Sequence, residues 1–287
     1  MSKTQTKEKD VGAVEKVIGA GPTAGTALAA AAGGALAAAG GTINFEQDAG
    51  AGLEGADKDS FAIPYLVVLQ PMSPPVAEGT LEGARPGLFL NSVTQELLSE
   101  IDLVPVAFQR RFLRWAPRKL GGGFKGEYSP VDVELRKIEG LVESDDRKLF
   151  IGGTDKDVND SLKDTRIHYV MVVRPDGTFS PAVISMASTQ IKRSKRWVAR
   201  IQGIQERGAN GALFNPPSFS HMYHAKSEKE TNDQGTWYSW AIDTPVRVNS
   251  LELYNACREF HKQIVTGAVV AAPPVEDAAE SGGSETF

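Results

Sequence analysis

The sequence of 287 residues predicts an α+β protein whose body is mainly antiparallel β-sheet and carries two helices. Three observations predict this class. All four Trp and all six Tyr lie between residues 58 and 265, which indicates a single folded domain over that range. Within it, apolar β-branched runs are separated by turn residues, as is typical of antiparallel strands. Two segments, about 188–205 and 249–265, have helical spacing instead.

The strands are predicted in chain order from their side-chain patterns. Residues 61–69 form an apolar β-branched run, and residues 87–97 and 101–115 alternate apolar and polar side chains. Residues 166–186 predict a hairpin that turns at Pro175-Asp176-Gly177, because these residue types favour a tight turn. Residues 219–243 predict a second, longer hairpin with a charged tip.

Each helix has an identifiable start. The first is predicted to begin near Ser188 or Thr189 and to run to about Gln205. The second is predicted to begin at Asn249, an N-cap residue followed three positions later by Glu252, and to run to about 265.

The two ends of the chain differ in composition from the body. Residues 1–57 are rich in Ala and Gly, and residues 266–287 are acidic and of low complexity. Neither end has enough large apolar side chains to offset the entropy of ordering, so both are predicted to be disordered tails. The net charge of -5 falls entirely on the first 50 and last 22 residues. Basic surface on the neutral body must therefore come from local clustering.

Cysteine usage and the N-terminus bear on the compartment. Cys257 is the single cysteine, which excludes an intramolecular disulfide and any multi-cysteine metal site. The charged N-terminus lacks the apolar core of a secretory signal, and no segment is apolar enough to hold a helix in lipid. We therefore expect a soluble protein of a reducing cytoplasm that makes no contact with membranes.

Residues 16–34, KVIGAGPTAGTALAAAAGG, match the spacing of a dinucleotide-binding turn through Gly19, Gly21 and Ala24. Such a turn needs a buried strand before it, and only Val17 and Ile18 are available. A short glycine pattern is also expected by chance in a segment this rich in Gly and Ala. A flexible arm is the favoured interpretation, and a dinucleotide-binding enzyme is the less favoured alternative.

No other segment predicts catalysis or metal binding. The loop from Asp155 resembles a calcium loop, but Asp160 and Arg166 stand where glycine and glutamate are required. His221 and His224 lie three apart in a predicted strand, so they are expected on opposite faces. We predict a protein that is not an enzyme and that has no metal and no cofactor.

The first basic cluster lies between residues 107 and 128, where cations alternate with aromatic rings. Single-stranded nucleic acid needs this combination, because bases stack on rings while cations hold the phosphates. The predicted nucleic-acid-binding residues here are Arg110, Arg111, Phe112, Arg114, Trp115, Lys119, Phe124 and Lys125. Three glycines at 121–123 are predicted to form a mobile loop tipped by Phe124 and Lys125. The alternative is a sheet whose aromatics fill the core while its arginines cover the solvent side.

The second basic cluster lies on the first helix. Lys192, Arg196 and Arg200 recur every four residues and form one ridge, flanked by Arg193 and Trp197. These five residues are predicted to bind nucleic acid, with Trp197 as a stacking ring. The alternative is a solvated face whose long side chains cover the core.

The C-terminal tail is a candidate docking segment. Its acidic residues and terminal aromatic ring can fill an apolar pocket with a basic rim, or compete with nucleic acid for a basic groove. The candidate partner-docking residues are Glu276, Asp277, Glu280, Glu285 and Phe287. The alternative is a tail that only improves solubility.

A basic, aromatic-rich β body with an acidic tail ending in Phe resembles the single-stranded DNA-binding proteins of bacteria and tailed phages. The segments FAIPYLVVLQPMSPP, PGLFLNSVTQE and FQRRFLRWAPRKLGGGF are also similar to the DNA-binding transcription cofactors of phages that carry a virion RNA polymerase. The resemblance spans roughly residues 58–265. It implies DNA binding without catalysis, a fold other than the OB barrel, and recruitment of a phage RNA polymerase to melted promoters.

We therefore predict a single-stranded DNA-binding protein that acts in phage DNA replication or transcription, in the cytoplasm of the infected bacterial host. Its expected partners are single-stranded DNA and a phage RNA polymerase or replication proteins. The sequence leaves the oligomeric state open, a homo-oligomer included. A structural or assembly protein of the phage virion is the alternative from a different functional class.

Overall fold

The computed structural model describes residues 47, 51–55, 62–233, 235–269 and 271. The chain divides into two compact units, Met1–Gly55 and Ala56–Phe287. All helices and strands of the described residues lie in the second unit. No helix within the described ranges is long and apolar enough to cross a membrane.

Strands dominate the second unit, as the sequence predicts. Those in the described residues are β1 (Leu66–Val68), β2 (Phe89–Asn91), β3 (Leu97–Leu98), β4 (Glu100–Trp115), β5 (Phe124–Tyr128), β6 (Leu141–Glu143), β7 (Leu149–Ile151), β8 (Asp160–Val173), β9 (Phe179–Ala187), β10 (Glu206–Arg207), β11 (Leu213–Phe214), β12 (His221–Asn232) and β13 (Gly235–Arg247). The α-helices are α1 (Pro74–Ala77), α2 (Pro130–Glu134), α3 (Ile191–Gln202) and α4 (Leu251–Val265).

One large sheet has the strand order β13-β12-β4-β8-β7-β6, with β5 added beside β4 and β9 beside β8. A small sheet, β1-β2-β3, and a two-stranded ribbon, β10-β11, complete the strands. Every pairing between these strands is antiparallel. The α+β class and the mainly antiparallel body are therefore confirmed.

The long central strand β4 contains a bulge at Val106, between Pro105 and Ala107. A proline has no N–H to donate, so it is tolerated inside a sheet mainly where a bulge interrupts the pairing. Val104 and Val106 point to the same face of the sheet, as simple alternation requires. Because of the extra residue, Phe108 lies on the opposite face, although it is only two residues after Val106. Simple alternation along residues 101–115 does not predict this shift.

Each face of the sheet is covered by one long helix. On the α3 face, Trp197 packs with Leu103, Ile184, Tyr223 and Trp240. On the opposite face, the α4 face, the core is formed by residues of the sheet and one side of the helix. Its buried members include Val104, Val106, Tyr169, Val183, Leu253, Cys257 and Phe260.

Both predicted hairpins are present. Strands β8 and β9 are joined through Gly177, whose φ of 85° is readily adopted by glycine, and β12 pairs along its length with β13. The segment 87–97 is not one strand. It forms the β2–β3 hairpin, because the Asn91 side chain accepts the backbone N–H groups of Val93 and Thr94 and closes a turn.

Both predicted helices are present with small changes at their ends. A short 3-10 helix over Ser188–Gln190 precedes α3, which ends at Gln202 rather than near 205. The N-cap of α4 is Ser250 instead of the predicted Asn249, since the Ser250 hydroxyl accepts the N–H of Leu253.

The outer edge of the large sheet, strand β13, is covered by side chains. The Gln70 amide forms two hydrogen bonds with the backbone of Tyr238, each 2.8 Å long, and Gln190 accepts the N–H of Trp240 at 3.2 Å. Farther along β13, Arg200 donates to the carbonyl of Ile242. These contacts occupy backbone groups that an exposed edge strand would offer to another chain.

Candidate nucleic-acid interface

The register between β4 and β8 decides which predicted residues share a surface. Phe108 pairs with His168, and their rings lie 5.0 Å apart. His168 stacks on Trp197 of α3 at 4.7 Å, so this side of β4 is the α3 face. The α3 face of β4 also carries Arg110, Phe112 and Arg114. Arg110 and Arg114 of the first basic cluster therefore lie on the same side of the sheet as the second basic cluster, whereas Arg111 points to the other face.

The cations of the first basic cluster already have carboxylate partners. Arg110 pairs with Asp164 at 2.8 Å, and Arg114 and Lys125 both pair with Asp160, at 2.6 and 2.9 Å. Burial alone would raise the pKa of Asp160, but hydrogen bonds from Lys125 and Arg114 hold this pKa below its ordinary value. Lys119 and Arg111 are paired in the same way, with Asp157 and Glu127.

A cationic excess remains where two cations share one carboxylate. Arg110 and Arg166 lie directly opposite each other on β4 and β8, and Asp164 accepts from both. Like charges in this position are unfavourable, so the pair depends on the shared acid. Burial and the nearby Arg110 both lower the pKa of Arg166. These three residues together carry one positive charge, and Glu134 also acts on Arg110, whose guanidinium lies over the Phe112 ring.

Three predicted stacking rings lie in the interior. Phe112, Trp115 and Trp197 are 6%, 5% and 1% exposed. Phe112 packs with Ile138, and Trp115 packs edge-on against Phe124. None of the three presents a ring face to solvent, so in this structure they are core residues rather than stacking platforms.

The segment 121–125, predicted to be a mobile loop, has a different structure. Phe124 and Lys125 do not form a loop tip, because they begin strand β5, which pairs with β4. Gly121 ends a 3-10 helix over Arg118–Leu120 with a φ of 98°. The three glycines thus close a tight connection between β4 and β5.

Phe108 is the exposed aromatic of the β4 α3 face, with 43% of its surface accessible. Strand alternation places it on the face of Arg110, and it is not among the binding residues predicted from the sequence. Its contact with His168 fixes one side of the ring and leaves the rest open. Alternation gives Phe108 and Phe112 the same face but not their burial, because only the tertiary structure shows that Phe112 is covered and Phe108 is not.

The ridge of α3, formed by Lys192, Arg196 and Arg200, is exposed along its length. Among the described residues, Lys192 and Arg196 form no hydrogen bond or ion pair. Arg200 donates to the backbone carbonyls of Ile242 and Asp243. The ridge therefore lacks the direct ion pairs that neutralise the cations of β4, and the charge of Lys192 acts only at longer range, on Glu230.

Arg193, predicted to flank the ridge, is turned towards the sheet. Its guanidinium lies 3.1 Å from Glu228 and 2.8 Å from Glu230 of β12. The hydrogen bond to Glu230 is the main reason that the pKa of Arg193 is raised above its ordinary value. Arg193 thus fixes α3 on the sheet.

Some of the remaining sequence motifs lie within the described residues and others lie outside them. The Asp155 loop is held by its own contacts, since Asp157 donates its N–H to Asp155 and pairs with Lys119. His224 pairs with Asp102, and this hydrogen bond raises its pKa. Within the described part of the chain, no three His, Cys, Asp or Glu residues are arranged to hold a metal ion. Other candidates lie outside the described residues, namely Gly19, Gly21, Ala24, Glu276, Asp277, Glu280, Glu285 and Phe287.

Between the two clusters, His168 links the sheet to α3. Its Nε2 lies 2.8 Å from the Ser194 hydroxyl, and burial, together with the charge of Arg166, lowers its pKa to about 3. The unfolded chain, with a histidine pKa of about 6.5, therefore takes up the proton first as the pH falls.

We expect His168 to lower the free energy of unfolding as the pH falls below ~6.5, whereas the raised pKa of His224 acts in the opposite direction. From about pH 7 to about pH 5.5, His168 should contribute a loss of roughly 1 kcal/mol. Urea unfolding of the wild type and of a His168 variant at both pH values isolates this loss by difference. The matched variant His168→Gln should show a smaller pH dependence, and an unchanged dependence would contradict the assignment.

The fold and the site define an α+β protein built on one long antiparallel sheet, with a cationic ridge on the helix that covers it. The chain belongs to the Pam3 phage gp34-like protein family, whose family model matches residues 32–270. It is a phage protein, and the phage origin implied by the resemblance is confirmed. No curated protein and no solved structure matches the chain.

Proposed function

We propose that this phage protein binds single-stranded DNA without catalysing a reaction. The observation that carries the proposal is the ridge of α3, where Lys192 and Arg196 are exposed one helical turn apart with no direct ion pair among the described residues. Like charges at this spacing destabilise a helix slightly, so a polyanion that neutralises them is favoured.

Phe108 supports a single-stranded ligand over a duplex. Stacking on a protein ring requires a base that is not paired inside a helix. The ring is exposed and lies 5.0 Å from the ring of His168. The His168 ring in turn stacks on Trp197 of α3 at 4.7 Å. A strand of a few nucleotides that follows the ridge can therefore reach Phe108 and the cationic excess at Arg110.

The role within phage DNA metabolism rests on the resemblance. We propose that the bound strand belongs to replicating DNA or to a melted promoter, and that a phage RNA polymerase or a replication protein is the partner. In this proposal the protein acts inside the infected host cell.

Fluorescence anisotropy with a labelled oligonucleotide, offered single-stranded or as a duplex at two salt concentrations, tests the function. We expect tighter binding of the single strand and a log–log salt slope of about -0.7 for each phosphate contact. Equal affinity for the duplex would contradict the proposal. An absence of binding together with large regular particles would favour the virion assembly alternative.

Replacing Phe108 with alanine should weaken single-stranded DNA binding by about 1–3 kcal/mol, the usual value of one stacked base. Phe108 is 43% exposed, so we expect the fold to persist, and circular dichroism checks this. Phe214→Ala is the matched control, because Phe214 is 45% exposed and lies on the β10–β11 ribbon. An equal loss of affinity in both variants would show that Phe108 is not part of the interface.

A further inference from the structure

A cavity of about 140 Å³ lies between α3 and strands β12 and β13, beside the ridge. Its lining consists of Arg193, Arg196, Trp197, Arg200, Glu228 and residues 240–243. The space accommodates a group of several heavy atoms, since one water needs only ~10–15 Å³. Two ridge residues, Arg196 and Arg200, thus form part of its wall.

The three arginines of the cavity differ in how they are held. Arg193 is fixed by Glu228 and Glu230, and Arg200 by backbone carbonyls of β13. Arg196 has no hydrogen bond or ion pair among the described residues. Its guanidinium is therefore available to a ligand, between two arginines whose orientations are already set.

One residue of the cavity wall also carries a buried donor without a partner. Trp197 is 1% exposed and lines the cavity, and its indole Nε1 has no hydrogen-bond partner. Buried donors nearly always have an acceptor, so this one calls for an explanation. Two residues of this wall, Arg196 and Trp197, thus carry donors without an acceptor, and an oxyanion supplies several acceptors. Of the two acids in the wall, Glu228 is already paired with Arg193, and Asp243 lies 4.0 Å from Lys226.

We propose that this cavity binds a phosphate monoester and, as an extension of the proposed function, receives the terminal phosphate of a bound DNA strand. Trp197 and Trp240, 1% and 3% exposed, close its inner end, so a strand cannot pass through. A phosphate monoester ends a strand, carries about -1.5 to -2 charges near neutral pH and accepts paired hydrogen bonds from arginine. An internal phosphodiester has fewer free oxygens and one charge.

The test compares one oligonucleotide sequence carrying a 5′-phosphate, a 3′-phosphate or no terminal phosphate. We expect one phosphorylated form to bind roughly tenfold more tightly than the unphosphorylated form. Trp197→Phe keeps a ring in the core but removes the N–H, and should reduce this preference while ridge binding persists. In the wild-type protein, the indole N–H resonance of Trp197 should shift on addition of inorganic phosphate. The Trp237 resonance is the control, since its N–H already bonds to Ser239.

The outcomes separate the two proposals. If all three oligonucleotides bind equally and the Trp197 resonance does not move, the cavity is not a phosphate site, while the proposed function stands. If no oligonucleotide binds but inorganic phosphate shifts the Trp197 resonance, the cavity is a site for a free phosphate monoester and the DNA-binding proposal is overturned.

Discussion

Reversing the charge of Lys192 and Arg196 together, as K192E/R196E, should weaken single-stranded DNA binding by roughly a hundredfold at low salt. Both residues are exposed on α3 and lack carboxylate partners among the described residues, so neither change breaks an ion pair within the protein. The salt slope should fall in magnitude by about 1.4, because two single-strand phosphate contacts are lost. Anisotropy titrations over a series of salt concentrations give both values.

The matched control is R258E/K262E on α4. Both residues are exposed, and the double change alters the net charge by the same amount. Because α4 covers the opposite face of the sheet, a local interface on α3 predicts little loss in this control. An equal loss in both double variants would mean that only net charge matters, and the ridge would no longer be the interface.

Replacing Gln70 with leucine should lower the free energy of unfolding by ~1–3 kcal/mol. Gln70 is 8% exposed and satisfies both the N–H and the carbonyl of Tyr238 on the edge of β13. Leucine has a similar size but offers neither a donor nor an acceptor. The carbonyl retains a longer bond from Gln190, at 3.3 Å, whereas the N–H of Tyr238 loses its partner. Urea unfolding followed by circular dichroism measures the change.

The control for this variant is Gln205→Leu. Gln205 is exposed beyond the end of α3, so its replacement should change stability by no more than about 0.5 kcal/mol. Light scattering should also show that Gln70→Leu self-associates more readily, because an uncovered edge strand can pair with another copy. If the free energy of unfolding of Gln70→Leu equals that of the wild type, water replaces the hydrogen bonds of the Gln70 amide without loss of stability.

Local patterns were sufficient to predict the class of the fold. The turn at Pro175-Asp176-Gly177, the strand from 101 to 115 and the helix that carries Lys192 depend on residues close together in the chain. Turn chemistry and side-chain periodicity act over a few residues, so they can be read from sequence. The ridge of α3 belongs to this group, because helical spacing alone aligns its three cations.

The pairing of charges required the tertiary structure. Asp160 and Asp164 neutralise Arg114 and Arg110 from a strand about fifty residues later, and no local pattern indicates which acid meets which arginine. The same holds for Phe112 and Phe108, which share a strand face although the first is 6% and the second 43% exposed. Burial depends on what packs above each ring, and that is decided by distant segments.

The sequence by itself therefore determined the antiparallel body, the two long helices and the cationic ridge, since each follows from short-range spacing. Only the tertiary structure decided that the rings of Trp115 and Trp197 lie in the core, and that Phe108 and the cavity beside Arg196 face outward. The physical reason is that solvent exposure and charge neutralisation depend on long-range contacts, which a bulge such as the one at Val106 can redirect.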